Sequence, residues 1–257
     1  MICKYCWQPP SPDQWTSLQS SLVSAASPAL RAAAEAHMQQ QLILNMQQSG
    51  ISFQDPSSTY VDADVSMEPG VHVGIGVQLY GRTHIGKNAV LEGPTYICNA
   101  IIGPQCHIKP FCHLDSCSIL KGCQIGPYAR VRPGTALKEG VFLGNFVEVK
   151  NSCMGTGSQA SHLAYIGDAE VGEQALIAAG CITCNFDGKQ KHKTCIGESA
   201  FVGSNTVLVA PVDVGHHAII GAGSTITGHV PPHALGIARS RQTVIDGYAQ
   251  RRRAQQQ

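Results

Sequence analysis

An aliphatic side chain returns at every sixth position from Met67 onward, through Val73, Leu79, Ile85, Leu91 and Ile97. After a slip of one residue the series resumes at Ile102, Ile108 and Leu114. A second slip precedes Ile119, Ile125, Val131, Leu137, Leu143 and Val149. Ile166, Val171 and Ile177 follow, and a last unbroken run takes in Ile196, Val202, Leu208, Val214, Ile220 and Ile226. A helix cannot keep a period of six on one face. A triangular coil of three short strands with tight corners can, each coil stacking on the last so that the inward aliphatics form continuous columns. Three hexads close one coil, so these 24 positions predict about eight coils of parallel β-helix. A small residue recurs two positions before the next aliphatic, as at Ala89, Ala129, Ala175 and Ala218.

Composition narrows the class further. A hydrophobic fraction of 43% with a net charge of +1 excludes a chain kept unfolded by low hydrophobicity or self-repulsion. No stretch reaches the roughly 18 consecutive apolar residues of a membrane span. The opening MICKYCWQPP lacks the charged-then-apolar order of a signal peptide, so residence in the cytoplasm and no membrane partner are expected. Positive charge is concentrated only at Arg251, Arg252 and Arg253, which gives no footprint for nucleic acid. Before the repeat, Ser27-Pro28 offers an N-cap and a first-turn proline. Leu30, Ala34, Met38, Leu42 and Met46 lie at helical spacing, and Gly50 stops the run. A short helix around Trp15 to Val23 is the only pattern in residues 1 to 26. The expected plan is a helical segment over 1 to 52, a β-helix over 53 to 236 and an extension over 237 to 257.

The repeat breaks at Met154 to Tyr165 and at Thr183 to Cys195, and extra loops on a solenoid usually carry function. Around these breaks lie ARVRPG (129 to 134), GNFVEVK (144 to 150), SHLAYIGDAEVG (161 to 172) and ITCNFDGKQKHKT (182 to 194). These segments resemble the hexapeptide-repeat acyltransferases. The particular likeness is to the acetyltransferase half of the bacterial bifunctional N-acetylglucosamine-1-phosphate uridyltransferase/glucosamine-1-phosphate acetyltransferases. It runs from the helix near residue 30 through DPSSTYVDADV (55 to 65) to IARSRQ (237 to 242), most of the chain. It implies an all-β, left-handed coil, acetyl-CoA as co-substrate, and a homotrimer with active sites shared between subunits. The implied step belongs to UDP-N-acetylglucosamine synthesis for peptidoglycan and lipopolysaccharide. A uridylyltransferase half would need another αβ domain with a Gly-rich, Lys-containing loop. Uridylyl transfer is therefore not expected, and a separate protein would supply it.

Amine acetylation from a thioester needs a base, because an ammonium is not a nucleophile, and an imidazole titrating near neutrality suits that role. The family's catalytic histidine falls on His162, within Ser161-His162-Leu163, and Glu148 could orient it. A sugar phosphate must be held by fixed cations. The resemblance assigns that work to Arg132, Lys150 and Lys191, with a hydroxyl contact from Tyr165. Where the family has an acceptor-contacting asparagine, this chain has Leu176, a departure that leaves the acceptor sugar open to differ from the family's. For acetyl-CoA the resemblance points to Ala179, Asn185, Phe186, Ser204, Ala222 and Arg239, with Asn185 and nearby amides steadying the oxyanion. The rival readings are an acetyltransferase for a different amino sugar and a non-catalytic β-helix scaffold or sugar-nucleotide-binding module.

Cys106, Cys112, Cys123, Cys153 and Cys181 each follow a repeat aliphatic by four residues, which predicts packing rather than chemistry. The Cys3/Cys6 and Cys181/Cys184 pairs lack the spacing of a zinc ribbon or finger. His107 and His113 are one hexad apart, on neighbouring faces, without a third partner eighteen residues away. No metal is expected for acetyl transfer.

Overall fold

The computed structural model describes residues 27 to 255, so the expected helix at 15 to 23 and the Cys3/Cys6 pair lie outside the described residues. Helix α1 (Pro28–Gln48) starts as its sequence dictates, with the Ser27 hydroxyl accepting from Leu30 N at 3.3 Å and Pro28 in the first turn. Only its last turns pack: Ile43 is buried, Leu42 and Met46 lie against the core, and Leu30 is exposed. The Gln39 amide donates to Val61 O at 2.8 Å and accepts from Val61 N at 3.1 Å, satisfying strand groups that no preceding coil reaches.

Strands β1 (Ser52–Phe53) to β30 (Leu235–Gly236) wind into a left-handed parallel β-helix. Strands pair three apart along the chain, save that the last, β30, pairs with β28, which separates them into three sheets of 11, 10 and 9 strands. The first sheet starts at β1, the second at β2 (Tyr60–Val61) and the third at β3 (Ser66–Met67). Ile108 illustrates the register, lying between Leu91 of the coil before and Ile125 of the coil after. The periodic aliphatics are the core: Leu79, Ile85, Leu91, Ile97, Ile102, Ile108, Leu114, Ile119 and Ile125 are all fully buried. Ala89, Ala129, Ala175 and Ala218 are buried beside them at the corners.

The coil count is about ten rather than eight. The aliphatic series begins too late, because Phe53 and Val61 already point inward, and it omits inward residues of other types. Met154 and Ala160 are both fully buried and pair with Leu137 and Leu143, so residues 154 to 165 are no loop. The interruption at 183 to 195 is real but shorter than the sequence pattern implies. Thr183 fills an inward position in β23 (Ile182–Cys184), and the chain leaves the coil only between there and β24 (Thr194–Ile196).

Five-residue steps, as from Ile97 to Ile102 and from Val149 to Met154, fall at the corner between the second and third sheets. That shortened corner corrects one cysteine. Cys106, Cys112, Cys123 and Cys181 are buried as expected, but Cys153 sits one residue before Met154 and is only half-buried on the outer face. Cys117, which the four-residue count misses, is buried instead. Burial pushes the Cys112 thiol up to about 11 and Cys117 up to about 12, so both stay protonated and inert at neutral pH.

Candidate functional site

In a strand whose central residue points into the core, its neighbours point out. Val131, Val149 and Ile166 are inward residues of the second sheet, so Arg132, Glu148, Lys150 and Tyr165 stand on its outer face. They come from β14 (Arg130–Val131) and the residue after it, β17 (Glu148–Lys150) and β20 (Tyr165–Gly167). Glu148 lies between Arg130 and Tyr165 in register. Lys191 arrives from the excursion after β23. Asp187 Oδ1 accepts from the backbone N of Lys189 and of Gln190, both at 2.8 Å, and its Oδ2 pairs with His192 Nε2 at 2.7 Å. An antiparallel bridge between Phe186 and Lys191 closes this hairpin.

The loop brings Lys191 against Lys150. Lys191, with Arg132 behind it, holds the Lys150 ammonium below its ordinary value, an effect that Asp168 partly opposes. Three cations therefore share one patch, and among the described residues Arg132 alone has an ion-pair partner there, with Nη1 donating to Glu148 Oε1 at 2.7 Å. Glu148, expected to orient the histidine, stands in this patch. Its carboxylate is held by a guanidinium from the neighbouring coil, in a charge-assisted hydrogen bond.

His162 closes β19 (Gln159–His162) at the corner leading into the second sheet, paired with Asn145 of the coil before. It is exposed, and among the described residues its ring has no hydrogen-bond partner. A Cβ on Gly144 would lie 1.9 Å from Ser161 O, so only glycine lets the coil carrying His162 stack this closely.

The cofactor candidates divide. Ala179, Ser204 and Ala222 each lie two residues after an inward residue of the first sheet, Ile177, Val202 and Ile220, the same station that His162 holds after Ala160. They form one column down a single corner, tied by Asn205 N to Ala179 O and Gly223 N to Ser204 O, both 2.8 Å, and Arg239 follows β30 at its end. Asn185 and Phe186 are on the corner at the other edge of the second sheet. Leu176 belongs to neither set, standing on the outer face of the first sheet between Gln159 and Phe201.

Asp168 is the residue that sequence reasoning missed. Its two oxygens accept from Asn151 Nδ2 and Asn185 Nδ2, so Asn185 is buried and engaged. Partial burial acts to raise the Asp168 carboxyl, but the two amides together with Lys191 and Lys150 hold it below the usual carboxylate range. The trace was available: Asn151, Asp168 and Asn185 each follow an inward residue by two positions in consecutive coils. The zinc reading of Cys181 and Cys184 has no support in their placement, since the Cys181 thiol is turned inward and donates to Gly203 O at 3.2 Å. His107 is paired with Glu92 Oε1 at 2.5 Å, and His113 stacks on Tyr96 with centroids 4.6 Å apart. Arg251 to Arg253 lie in the exposed helix α2 (Tyr248–Ala254).

The model of the bacterial transferase hexapeptide (six repeats) matches residues 194–228. Among curated proteins, "Bifunctional protein GlmU" of Streptococcus thermophilus is 44% identical over 201 residues, covering 78% of this chain and 44% of the relative. The protein of that name in Trichlorobacter lovleyi is 42% identical over 216 residues, covering 84% and 47%. The matched part of these relatives is the C-terminal acetyltransferase half. The chain belongs to the hexapeptide-repeat acyltransferase family. It spans about half the length of the curated relatives it matches. Among solved structures, Arabidopsis UDP-N-acetylglucosamine acyltransferase aligns with a TM-score of 0.62 at 16% identity over 70% of each chain, a likeness of fold. No helix among the described residues is long and apolar enough to cross a membrane.

Proposed function

We propose that this family member is a cytoplasmic N-acetyltransferase that moves the acetyl group of acetyl-CoA onto the amine of glucosamine-1-phosphate or a close amino-sugar phosphate. The observation that carries this reading is the patch of Arg132, Lys150 and Lys191, in which mutual repulsion already disfavours the Lys150 ammonium. A phosphate dianion relieves that repulsion and accepts charge-assisted hydrogen bonds from all three. His162, without a hydrogen-bond partner among the described residues and placed at the corner between the first sheet and the sheet bearing the patch, takes the proton from the amine as it attacks the thioester. Transfer is direct, with no covalent enzyme intermediate. The column of small residues running from His162 to Arg239 suits an extended pantetheine chain, with Arg239 for a terminal phosphate.

Two features support a homotrimer with shared sites. A single cofactor touching both the Ala179–Ser204–Ala222 column and Asn185 with Phe186 requires a second chain, since one prism holds these sets on different corners. Phe111, Tyr128 and Phe146 also stack on the His162 corner, with centroids 4.8 and 5.2 Å apart, and Leu163 continues their line. All four are exposed and in the left-handed region. That backbone costs a bulky residue about 1 kcal/mol, which burial against a partner offsets.

Lys191→Ala should raise KM for glucosamine-1-phosphate by roughly 10- to 100-fold, as for loss of a hydrogen bond to a charged group, with kcat little changed. Steady-state kinetics with glucosamine lacking the phosphate should show no such difference between variant and wild type. Equal KM values for the phosphorylated sugar would remove the phosphate assignment. Leu176 carries the second reading, a different amino sugar. Gain of glucosamine-1-phosphate turnover in Leu176→Asn would favour it, whereas unchanged turnover favours the first.

A further inference from the structure

Three histidines meet near the end of the solenoid, on the corner between the third and first sheets, outside the site above. His216 and His217 follow the inward Val214 in β27 (Val212–Val214), and His233 comes from the next coil, where its N donates to His216 O at 3.0 Å. Ring centroids are 5.7 Å apart for His216 and His217, 4.9 Å for His216 and His233, and 5.1 Å for His217 and His233. All three are exposed. Among the described residues none of the three rings has a side-chain hydrogen bond or an ion pair.

The size of this triangle fits three rings around one ion. Imidazole nitrogen binds zinc at 2.0–2.1 Å, which puts each ring centre about 3.2 Å from the ion and neighbouring centres about 5.2 Å apart at a tetrahedral angle. The observed separations bracket that value. Ring direction differs: His217 and His233 are nearly parallel, at 13°, and His216 stands edge-on to both, at 80° and 86°. As they stand, the three do not aim nitrogens at one point, and among the described residues no preformed metal set exists. The terminal histidine torsion is broad, however, so an exposed ring turns without displacing its Cβ.

We propose that His216, His217 and His233 bind one zinc-class divalent ion through three imidazole nitrogens, leaving a fourth position to water. Neutral imidazoles select zinc, nickel or copper over the oxygen-seeking magnesium and calcium. The ion clips the last coil to the one before it. That coil needs a clip: β30 pairs on one side only, with β28 (Ile219–Ile220), and the chain passes directly from it to Arg239.

Calorimetric titration of the purified full chain with Zn²⁺ tests this, with His229→Ala as an exposed-histidine control. Wild type and His229→Ala should each bind one equivalent at micromolar Kd, and His216→Ala and His233→Ala should each weaken binding at least about tenfold. Amide exchange over residues 230 to 238 should slow on adding Zn²⁺ to wild type and not to His233→Ala. Undiminished stoichiometric binding in the triple variant would place the ion on other ligands and overturn the proposal. So would the absence of binding by wild type at about 0.1 mM Zn²⁺.

Discussion

On the proposed function, His162→Ala is expected to lower the rate of acetyl transfer by roughly 10²- to 10⁴-fold, the usual contribution of a general base, with acetyl-CoA binding as it does to wild type. The split between rate and cofactor affinity follows from position. His162 is one station in a corner column whose other members, Ala179, Ser204, Ala222 and Arg239, are untouched by the change. Its exposed ring holds no neighbour in place, so the variant keeps its fold. A base has a further signature. The defect should shrink as pH rises and the free amine becomes abundant without help. Stopped-time assays of product across pH, beside calorimetric binding of acetyl-CoA, check both parts. An unchanged rate would remove His162 from the mechanism, and a pH-independent defect would recast it as a positioning residue.

Leu143→Ala costs about 3–5 kcal/mol, the upper part of the range for deleting a buried leucine. Leu143 is fully buried and stacks between Ile125 and Ala160. Its neighbour on one side is already an alanine, so the cavity has no large side chain to fill it. The coils cannot close the gap either, because ladder hydrogen bonds fix their spacing, as from Gly126 N to Leu143 O at 2.8 Å. Solenoid contacts are local, so the coils bearing Asn145 and His162 open first. Denaturant unfolding beside the outward control Ile219→Ala, whose parent is 48% exposed, gives the comparison. A loss under about 1 kcal/mol would mean that the column relaxes and is not rigidly stacked.

The inward columns were legible because one physical demand, an apolar residue at each strand centre, recurs without exception over long runs such as Ile196 to Ile226. Reading failed where another residue type met that demand. Met154, Ala160 and Thr183 fill inward positions, and with them the apparent loop at 154 to 165 becomes three ordinary strands. The four-residue count misplaces Cys153 and omits Cys117 because the second-to-third corner drops a residue and shifts what points inward. The outward face was harder. Arg132, Lys150 and Lys191 were nameable from a family likeness, yet the pairing of Glu148 with Arg132 depends on which residues become neighbours in successive coils. Asp168 shows the same limit, since its role rests on Asn151 and Asn185, each seventeen residues away along the chain.

The most direct measurement mixes the purified chain with acetyl-CoA and glucosamine-1-phosphate and follows the sugar by mass spectrometry, since the chain's eleven cysteines would confuse a free-thiol readout. N-acetylated glucosamine-1-phosphate should accumulate with wild type and fall to background with His162→Ala. Wild-type protein that binds acetyl-CoA yet acetylates neither this acceptor nor any other amino-sugar phosphate would contradict the proposed function.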